Sequence, residues 1–435
     1  MTQDDSQTVT LDDWLLRLER QHPVAIDMGL ERVARVAERL GLSASALGGR
    51  VVTVAGTNGK GSTVAMIERL ARAHGLSTAA YTSPHLIRYN ERLSVDGEPV
   101  DDATLIDGFE QVEAARLSDD PISLSYFEAG TLAAMVGMAK RQPDIAILEV
   151  GLGGRLDAVN VVDADVAVIT TIAHDHADFL GSDLDGIGRE KAGILRPGRP
   201  AVLGSRALPV SIGERLSSLG CPSYWLGQAF DHRSAVGNHG RWHWHGASQK
   251  GPEMTGHELE TLPDPGLPLD NAAAALQALV LCGVELEASA VRTAFETVSL
   301  TGRLQWHGRW CLDVAHNQHA ASYVAERLAS RPRPSRRIGL IGVLADKDAE
   351  ALVTALKPVV DTWVAVGLAG PRGRSGAALA DCLERQGLAL DAICDSPAAG
   401  VAWLAPRLSA DDEVLVCGSF YTVGEALAAL DDANE

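Results

Sequence analysis

Hydrophobic and polar residues follow two different periods along the chain, and together the two periods predict an α/β protein. Apolar, β-branched runs at 51–55, 144–149 and 165–171 are typical of strands buried on both faces. Segments with apolar residues at the helical period are found at 11–20, 30–40, 64–74, 102–116, 126–141, 187–194, 269–282 and 288–298. Strands and helices that alternate in this way form a parallel sheet.

A second alternation begins near residue 299, where the pattern restarts. Strands are predicted near 310–315, 337–342, 361–366, 389–393 and 413–417. Helices are predicted near 318–329, 349–356, 375–386, 396–407 and 422–430. We therefore predict two domains: a larger domain at 1–298 built on a parallel-strand sheet, and a smaller, Rossmann-like α/β domain at 299–435.

The stretch 200–262 differs from both patterns, because short strands are predicted to alternate with turns there. Within it, the sequence Arg241-Trp242-His243-Trp244-His245 offers two histidines to a metal. Strict alternation, however, places both tryptophans on one face of a strand and both histidines on the other. The pattern therefore favours a half-buried strand over a metal site.

Composition and charge narrow the class of partner. The chain has 435 residues, of which 46% are hydrophobic and 22% charged, as expected for a globular protein of two domains. A net charge of −19 argues against binding to nucleic acid or to anionic membranes. The six cysteines lack paired spacing, the N-terminus is polar, and no apolar run reaches the ~18 residues of a membrane span. We expect a cytoplasmic monomer that acts on small molecules.

A glycine-rich turn separates the first predicted strand from the helix at 64–74. Its sequence is Gly56-Thr57-Asn58-Gly59-Lys60-Gly61-Ser62. A helix N-terminus offers unpaired N–H groups to an anion, glycines let the backbone approach phosphates, and Lys60 adds a full charge. The turn departs from a standard Walker A loop, since position 54 is valine and Gly61 separates Lys60 from Ser62. Glycine turns are common in α/β proteins, but this turn follows a predicted strand and precedes a predicted helix, and that context favours an ATP site.

Acidic and histidine side chains follow the other two predicted strands. Glu149 ends the second strand, and His174 and His176 follow the third. Ligands bind at the carboxyl ends of parallel strands, and a carboxylate with one histidine suits a Mg²⁺ ion that keeps waters and phosphate oxygens. We favour His176 as a metal ligand over the alternative that both histidines only alternate across a strand end.

Six segments, in order, give the chain a resemblance to a known family. They are the loop at 56–62, Thr82-Ser83-Pro84-His85-Leu86, Glu149-Val150-Gly151-Leu152-Gly153-Gly154-Arg155-Leu156-Asp157, Arg189-Glu190-Lys191-Ala192-Gly193-Ile194, Gly302-Arg303 and Asp313-Val314-Ala315-His316-Asn317. With them the chain resembles the bifunctional dihydrofolate synthase/folylpolyglutamate synthases of the Mur ligase superfamily, from about residue 11 to 425. The non-standard phosphate loop is what this family has.

The resemblance implies a role for individual residues. It implies contacts to ATP from Thr57, Asn58, Gly59, Lys60, Gly61, Ser62, Asn271, Arg303 and Asp313. It implies Mg²⁺ ligands at Ser83, Glu149, His176 and Lys191, the last as a carbamate, although the pattern alone is typical of a solvated surface lysine. It implies that the pterin-bearing substrate contacts Asp27, Met28, Gly29, Leu30, Ser125, Tyr126, Phe127, Glu128, Leu156, Asp157 and Ala158. His316 and Ser419 are candidates near the incoming glutamate, and Lys60, Lys191 and His316 are the candidate catalytic residues.

The implied reaction is the ATP-dependent ligation of L-glutamate to dihydropteroate and to reduced folates through an acyl phosphate. Lys60, Mg²⁺ and the loop amides would offset the charge on the transferring phosphoryl group. Three alternatives remain at this point: a synthase for reduced folates only, another Mur-type amide ligase, and a nucleotide switch ATPase without ligase chemistry. A cell-wall Mur ligase should lack the Ser83-Pro84-His85 loop. One departure from the family is His174, where the resemblance implies a less polar residue.

Overall fold

A computed structural model describes residues 9–22, 27–175, 177–235, 240–250 and 253–432 of the chain. Its helices are α1 (Leu11–Gln21), α2 (Glu31–Arg39), α3 (Ala44–Leu47), α4 (Lys60–Ala73), α5 (Asp102–Leu117), α6 (Tyr126–Arg141), α7 (Ala177–Leu180), α8 (Leu184–Lys191), α9 (Val210–Leu219), α10 (Leu269–Leu281), α11 (Ala288–Thr297), α12 (Gln318–Ala329), α13 (Ala349–Leu356), α14 (Gly376–Arg385), α15 (Pro397–Leu404) and α16 (Phe420–Asp432). Short 3₁₀ turns lie at Tyr89–Arg92, Ala158–Val161, Ala192–Ile194 and Ala405–Arg407.

The strands are β1 (Arg50–Ala55), β2 (Thr78–Tyr81), β3 (Leu93–Val95), β4 (Glu98–Pro99), β5 (Ile145–Glu149), β6 (Val166–Ile169), β7 (Ala201–Leu203), β8 (Ser223–Trp225), β9 (Asp231–Ser234), β10 (Arg241–Lys250), β11 (Glu253–Pro263), β12 (Gln305–His307), β13 (Trp310–Leu312), β14 (Arg336–Ile341), β15 (Thr362–Val366), β16 (Leu390–Cys394) and β17 (Asp412–Cys417). The chain forms two compact units. The first contains Met1–Ser83, Asn90–Ile172 and Ser182–Val298, and the second contains Pro84–Tyr89, Ala173–Gly181 and Ser299–Glu435.

The first unit is organised around an eight-stranded sheet of order β4-β3-β2-β5-β1-β6-β7-β8 within the described residues. The strands from β2 to β8 in this order run parallel, and β3 and β4, at one side of the sheet, pair antiparallel. β1 lies between β5 and β6, with Val54 opposite Glu149 and Ala55 opposite Ile169. The residues that follow β1, β5 and β6 therefore meet at one edge of the sheet, where parallel α/β folds bind ligands.

The predicted strands and helices of this unit are confirmed, and the corrections fall in the stretch 200–262. Within the stretch 200–262, predicted as short strands and turns, the structure forms the helix α9 between β7 and β8. β7 and β8 are parallel neighbours, and a parallel pair needs a crossover connection. Ile212 and Leu216, one helical turn apart, supply the buried face of that helix. The stretch also holds a long hairpin, β10 and β11, rather than short strands only.

The predicted half-buried strand at 241–245 is confirmed as part of β10. Trp242 and Trp244 are buried and donate their indole N–H groups to the carbonyls of Pro263 and Ala273, at 2.7 and 3.2 Å. His245 on the opposite face is exposed. Trp242 therefore joins β10 to the end of β11, and Trp244 joins the three-stranded sheet β11-β10-β9 to α10.

The second unit is a six-stranded sheet of order β12-β13-β17-β14-β15-β16 in the part of the chain described. All neighbours are parallel except β12 and β13. Apolar clusters cover both faces: α12, α13 and α14 pack on one, and α15 and α16 on the other. This is the smaller α/β domain that the second alternation predicts. No described helix in either unit has the length and apolar character required to cross a membrane.

Candidate active site

The loop between β1 and α4 adopts a conformation that two of its residues can reach only as glycines. Gly56 has φ +152° and Gly59 has φ +87°. A Cβ on Gly56 would collide with the hydroxyl of Thr170, and one on Gly59 would lie 2.6 Å from Asn271 Nδ2. The glycines predicted to let the backbone approach a phosphate thus also let it approach β6 and α10.

The end of β6 holds this loop in place. The amide of Thr57 donates to the carbonyl of Thr171 at 2.7 Å, and the amide of Asn58 donates to the Thr171 hydroxyl at 3.2 Å. The hydroxyls of Thr170 and Thr171 donate in turn to the carbonyl of Asn58, at 2.7 and 3.1 Å. The sequence analysis did not select these two threonines, although they follow a predicted strand beside the loop.

Two lysines converge on one carbonyl of the loop. Lys60 Nζ donates to the carbonyls of Gly56 and Thr57, both at 3.2 Å, and Lys191 Nζ donates to the carbonyl of Gly56 at 2.9 Å. Lys191 is only 4% exposed, so the pattern-based view of it as a solvated surface charge is wrong. Close packing of Gly154 against the backbone of Glu190 and Lys191 brings the end of α8 to the loop.

Asn271, in the first turn of α10, lies against the first turn of α4. Its Nδ2 donates to Ser62 Oγ at 2.8 Å, and Ser62 Oγ donates to the carbonyl of Gly59 at 3.0 Å. Both side chains are 3% exposed. Asn271, a predicted ATP contact, is more than 200 positions from the phosphate loop in sequence, and the fold brings the two together.

Glu149 ends β5 and is 5% exposed, and its Oε2 accepts a long hydrogen bond from the amide of Ser83 at 3.4 Å. Two predicted metal ligands are thus neighbours, while His176 lies outside the described residues. Among the described residues, no group of three or more His, Cys, Asp and Glu side chains is arranged to hold a metal ion. One buried carboxylate with a serine beside it nevertheless fits Mg²⁺, which binds proteins through one or two carboxylates and keeps waters and phosphate oxygens.

Asp157 organises the turn after β5. Its carboxylate accepts from the amides of Leu152 at 2.8 Å and Val159 at 3.0 Å. Burial raises the pKa of Asp157 to about 6, while backbone N–H groups and the charge of Lys60 oppose the rise. The ring of Phe127 packs against Gly151, where a Cβ would lie 2.6 Å from it. Two predicted substrate segments, 125–128 and 156–158, are therefore adjacent.

The third predicted substrate segment reaches the same region through a residue that the sequence analysis missed. Arg32, on α2, contacts Asp27 Oδ2 at 2.9 Å and Glu128 Oε1 at 2.8 Å. Ser125 caps α6, and its amide donates to Glu128 Oε2 at 2.7 Å. Met28, Gly29 and Leu30 are partly exposed, whereas 25–26, the start of this predicted loop, lies outside the described residues. Arg32 is the second residue of an amphipathic helix, and nothing in the local sequence indicates which side chains it contacts.

Within the second unit, Asp313 and Arg303 lie at the start of the domain. Asp313 is 5% exposed and accepts from the amides of Leu304 at 2.9 Å and Ala315 at 2.8 Å. Burial raises the pKa of Asp313, and the Arg303 charge opposes this rise. Arg303 lies over the ring of Phe420 at 5.1 Å.

The two candidate glutamate contacts have different environments. His316 lies 3.3 Å from Asp175 through Nε2 and 3.0 Å from the carbonyl of Val314 through Nδ1. Ser419 is 2% exposed, and its Oγ accepts from the amide of Thr422 at 3.0 Å. His316 therefore belongs to a polar cluster, whereas Ser419 caps the helix α16.

That cluster contains a buried ion pair that the sequence analysis did not predict. Lys347 donates to Asp175, and their side chains are 6% and 8% exposed. Asn317 Nδ2 also donates to Asp175, at 3.4 Å. Asp175 directly follows His174 in sequence, so this pair holds the backbone next to His174 within the second unit.

A phosphate-binding loop on one parallel sheet, followed by a second parallel α/β domain, defines the class of protein. Residues 54–202 match the Mur ligase middle domain, and residues 302–420 match the Mur ligase glutamate ligase domain. The chain is thus an ATP-dependent ligase of the Mur type.

Relatives that match nearly the whole chain define the family within this class. The dihydrofolate synthase/folylpolyglutamate synthase of Escherichia coli K12 is 42% identical over 424 residues, which cover 97% of this chain and 96% of the relative. The solved structure of Escherichia coli FolC in complex with DHPP and ADP has a TM-score of 0.89 at 40% identity and covers 98% of this chain and 99% of that one. A bifunctional folylpolyglutamate synthase/dihydrofolate synthase with Mn, AMPPNP and L-glutamate bound has a TM-score of 0.85 at 41% identity, with 98% of both chains covered. The chain belongs to the dihydrofolate synthase/folylpolyglutamate synthase family, and the resemblance inferred from its motifs is confirmed.

Proposed function

We propose that this protein uses ATP to ligate L-glutamate to dihydropteroate, giving dihydrofolate, and to reduced folates, giving folylpolyglutamates. The observation that carries the proposal is the phosphate loop with Lys60 at the start of α4, beside Glu149 at the neighbouring strand end. Asp157, in one of the predicted substrate segments, accepts from the amide of Leu152 in the turn that follows Glu149, so this segment lies next to the same strand end. The names of the relatives, and their complexes with nucleotide, Mn and glutamate, support the same reaction.

The reaction needs an activated carboxylate, because a carboxylate is a poor electrophile. A substrate carboxylate oxygen attacks the γ-phosphorus of ATP, the bond to the bridging oxygen breaks, and ADP leaves. The amine of glutamate then attacks the acyl carbon, an amine proton is lost, and phosphate departs with the former carboxylate oxygen. Lys60 stabilises the negative charge that spreads over the transferring phosphoryl group.

Individual residues take the following parts in this proposal. Thr57 to Ser62 bind the phosphates of ATP, and Asn271, Arg303 and Asp313 bind the rest of the nucleotide. The pterin-bearing substrate binds at 27–30, 125–128 and 156–158, while His316 and Ser419 contact the incoming glutamate. We place the ATP-binding domain at 1–298 and the glutamate ligase domain at 299–435.

Ser83, Glu149, His176 and a carbamate on Lys191 would hold Mg²⁺. The ion would supply charge neutralisation at the β- and γ-phosphates. The position of Lys191 supports the carbamate. Its amine shares the Gly56 carbonyl with Lys60, and two adjacent ammonium groups repel each other. Reaction of the neutral Lys191 amine with CO₂ replaces one of these cations by an anion with two oxygens, the ligand type that Mg²⁺ prefers.

We further propose that the protein acts in the cytoplasm as a monomer. Its partners would be dihydropteroate, reduced folates, L-glutamate and ATP. The net charge of −19 supports the expectation that neither nucleic acid nor an anionic membrane is a partner.

Phosphate release from ATP tests the proposed function when it is measured with dihydropteroate plus glutamate and, separately, with tetrahydrofolate plus glutamate. We expect glutamate-dependent release with both. Glutamate-dependent release with tetrahydrofolate but not with dihydropteroate would make the protein a synthase for reduced folates only. Release that depends on neither folate nor glutamate would favour a switch ATPase and would refute the proposal.

A further inference from the structure

Arg32 joins two of the segments proposed to bind the pterin-bearing substrate. Its Nη1 lies 2.9 Å from Asp27 Oδ2, and its Nη2 donates to Glu128 Oε1 at 2.8 Å. The planar guanidinium presents its donors in a fixed fork, so these two carboxylates are held at a defined separation. Asp27 and Glu128 are about a hundred positions apart in the chain, and Arg32 is the link between them.

Glu128 is the rigid end of this link. It is 3% exposed, and both of its carboxylate oxygens are used: Oε1 by Arg32, and Oε2 by the amide of Ser125 at 2.7 Å. The second bond is part of the capping box that starts α6, so the carboxylate cannot rotate without breaking the helix cap. Arg32 therefore takes its position from α6.

Asp27 is the open end of the link. Its side chain is 33% exposed, against 4% for that of Glu128. His22 Nε2 lies 3.2 Å from the same oxygen, Oδ2, that contacts Arg32, and His22 Nδ1 lies 2.8 Å from Ser123 Oγ. Within the described residues both contacts to Asp27 use Oδ2, which leaves Oδ1 able to accept from a ligand.

Arg32 also carries a cost that a purely stabilising residue would avoid. Its Nε is buried and has no hydrogen-bond partner in the described part of the chain. An unpaired buried donor is unfavourable, so its presence requires an explanation, and a role in the site is one.

We infer that Arg32 is a positioning residue for the pterin-bearing substrate, which holds the Asp27 carboxylate so that Oδ1 accepts from N–H donors of the substrate. A pterin ring carries an amino group and an adjacent ring N–H, the donor type that a carboxylate oxygen accepts. The inference rests on the proposed function, because it takes the substrate to be a pterin. Arg32 acts through Asp27 and does not touch the reacting atoms.

The test compares Arg32→Gln with Arg35→Gln. Arg35 is one helical turn along α2 and pairs with Asp120 at 2.9 Å, but both of these side chains are more than half exposed. We expect Arg32→Gln to raise the KM for dihydropteroate about tenfold or more and to leave the KM for ATP within about twofold, because it removes binding shared by the ground and transition states. Arg32→Lys keeps the charge but loses the fork, so its KM should be intermediate. Arg35→Gln should match the wild type.

A double variant separates positioning from simple destabilisation. If Arg32 acts through Asp27, the variant with both Arg32→Gln and Asp27→Asn should have a KM for dihydropteroate no higher than that of the more impaired single variant. Fully additive losses, equal rises in the KM for ATP and for dihydropteroate, or an Arg32→Gln enzyme equal to Arg35→Gln would each overturn the inference.

The same assays keep the inference and the proposed function apart. The wild-type and Arg35→Gln rates with dihydropteroate test the function, whereas the difference between Arg32→Gln and Arg35→Gln tests the role of Arg32. If the wild type turns over tetrahydrofolate only, the comparison is made on that substrate with the same expected outcome. If it turns over neither, both the function and the inference are refuted.

Discussion

Replacement of Gly59 by alanine tests whether the backbone conformation of the phosphate loop makes the nucleotide site. Gly59 directly precedes α4 and has φ +87°, and a Cβ there would lie 2.6 Å from Asn271 Nδ2. A left-handed conformation costs a residue with a Cβ about 1–2 kcal/mol. Displacement of Asn271 from Ser62 would remove a buried hydrogen bond worth ~1 kcal/mol. We therefore expect the free energy of unfolding to fall by about 2–3 kcal/mol.

The other end of the same helix supplies a matched control. Gly75 follows α4 with φ +77°, and nothing lies within 4 Å of a Cβ placed on it. Gly75→Ala should lose only the conformational term of about 1–2 kcal/mol. Urea unfolding gives both free energies, and steady-state kinetics with ATP varied gives kcat/KM.

The kinetic comparison carries the argument. We expect Gly59→Ala to lower kcat/KM for ATP about tenfold or more, since the displaced loop no longer directs its amides and Ser62 at the phosphates, whereas Gly75→Ala should leave it within about twofold. A Gly59→Ala enzyme with the kcat/KM of Gly75→Ala would refute the view that this conformation forms the anion site. Equal losses in both variants would show that the effect comes from destabilisation of α4.

Three further predictions follow from the lysines and from Asp157. Lys60→Ala should keep the circular dichroism of the wild type but lose about 10²–10³ in kcat, or ~3–4 kcal/mol of transition-state stabilisation. Lys191→Arg should be inactive because it cannot form a carbamate, and Lys191→Ala should recover partly with formate or acetate; ¹³C-bicarbonate should give a carbamate resonance in the wild type that both variants lack. Burial raises the pKa of Asp157 from 3.8 to about 6, so the stability it contributes is complete below pH 3.8 and lost as the pH rises through 6. Asp157→Asn should therefore gain about 1 kcal/mol relative to the wild type between pH 5 and pH 7.5, measured by urea unfolding.

Each of these predictions has an outcome that contradicts it. Near-normal turnover by Lys60→Ala would remove Lys60 from the phosphate site. A fully active Lys191→Arg enzyme would exclude the carbamate. A stability difference between Asp157→Asn and the wild type that is the same at both pH values would mean that Asp157 keeps its ordinary pKa in the folded protein.

The fold could be predicted from the sequence because its signals are local. β1 and the glycine turn after it are contiguous, and the buried parallel strands read as apolar runs that helices separate. The helix α9 was missed because short apolar runs in the segment 200–262 fit a strand as well as a turn of helix. Its presence follows from the parallel pairing of β7 and β8, which only the tertiary structure reveals.

The residues of the site could be predicted only where neighbouring residues in the sequence form a recognisable motif. Glu149 was expected at the sheet edge because it ends a strand, and the register of β1 with β5 places it there. The burial of Lys191 depends on the close approach of Gly154, and the role of Arg32 depends on carboxylates from two other segments. Neither depends on a local pattern, so helical periodicity indicated a solvated charge at Lys191 and gave no reason to select Arg32.

Transfer of a carboxylate oxygen to phosphate tests the proposed reaction most directly. Dihydropteroate labelled with ¹⁸O in its carboxylate is incubated with the enzyme, ATP and L-glutamate, and the released phosphate is analysed by mass spectrometry. An acyl phosphate predicts one ¹⁸O atom in the phosphate for each glutamate ligated, since the bond that breaks is between the acyl carbon and that oxygen. Phosphate without ¹⁸O, formed at the same rate as the amide product, would contradict activation of the carboxylate by ATP.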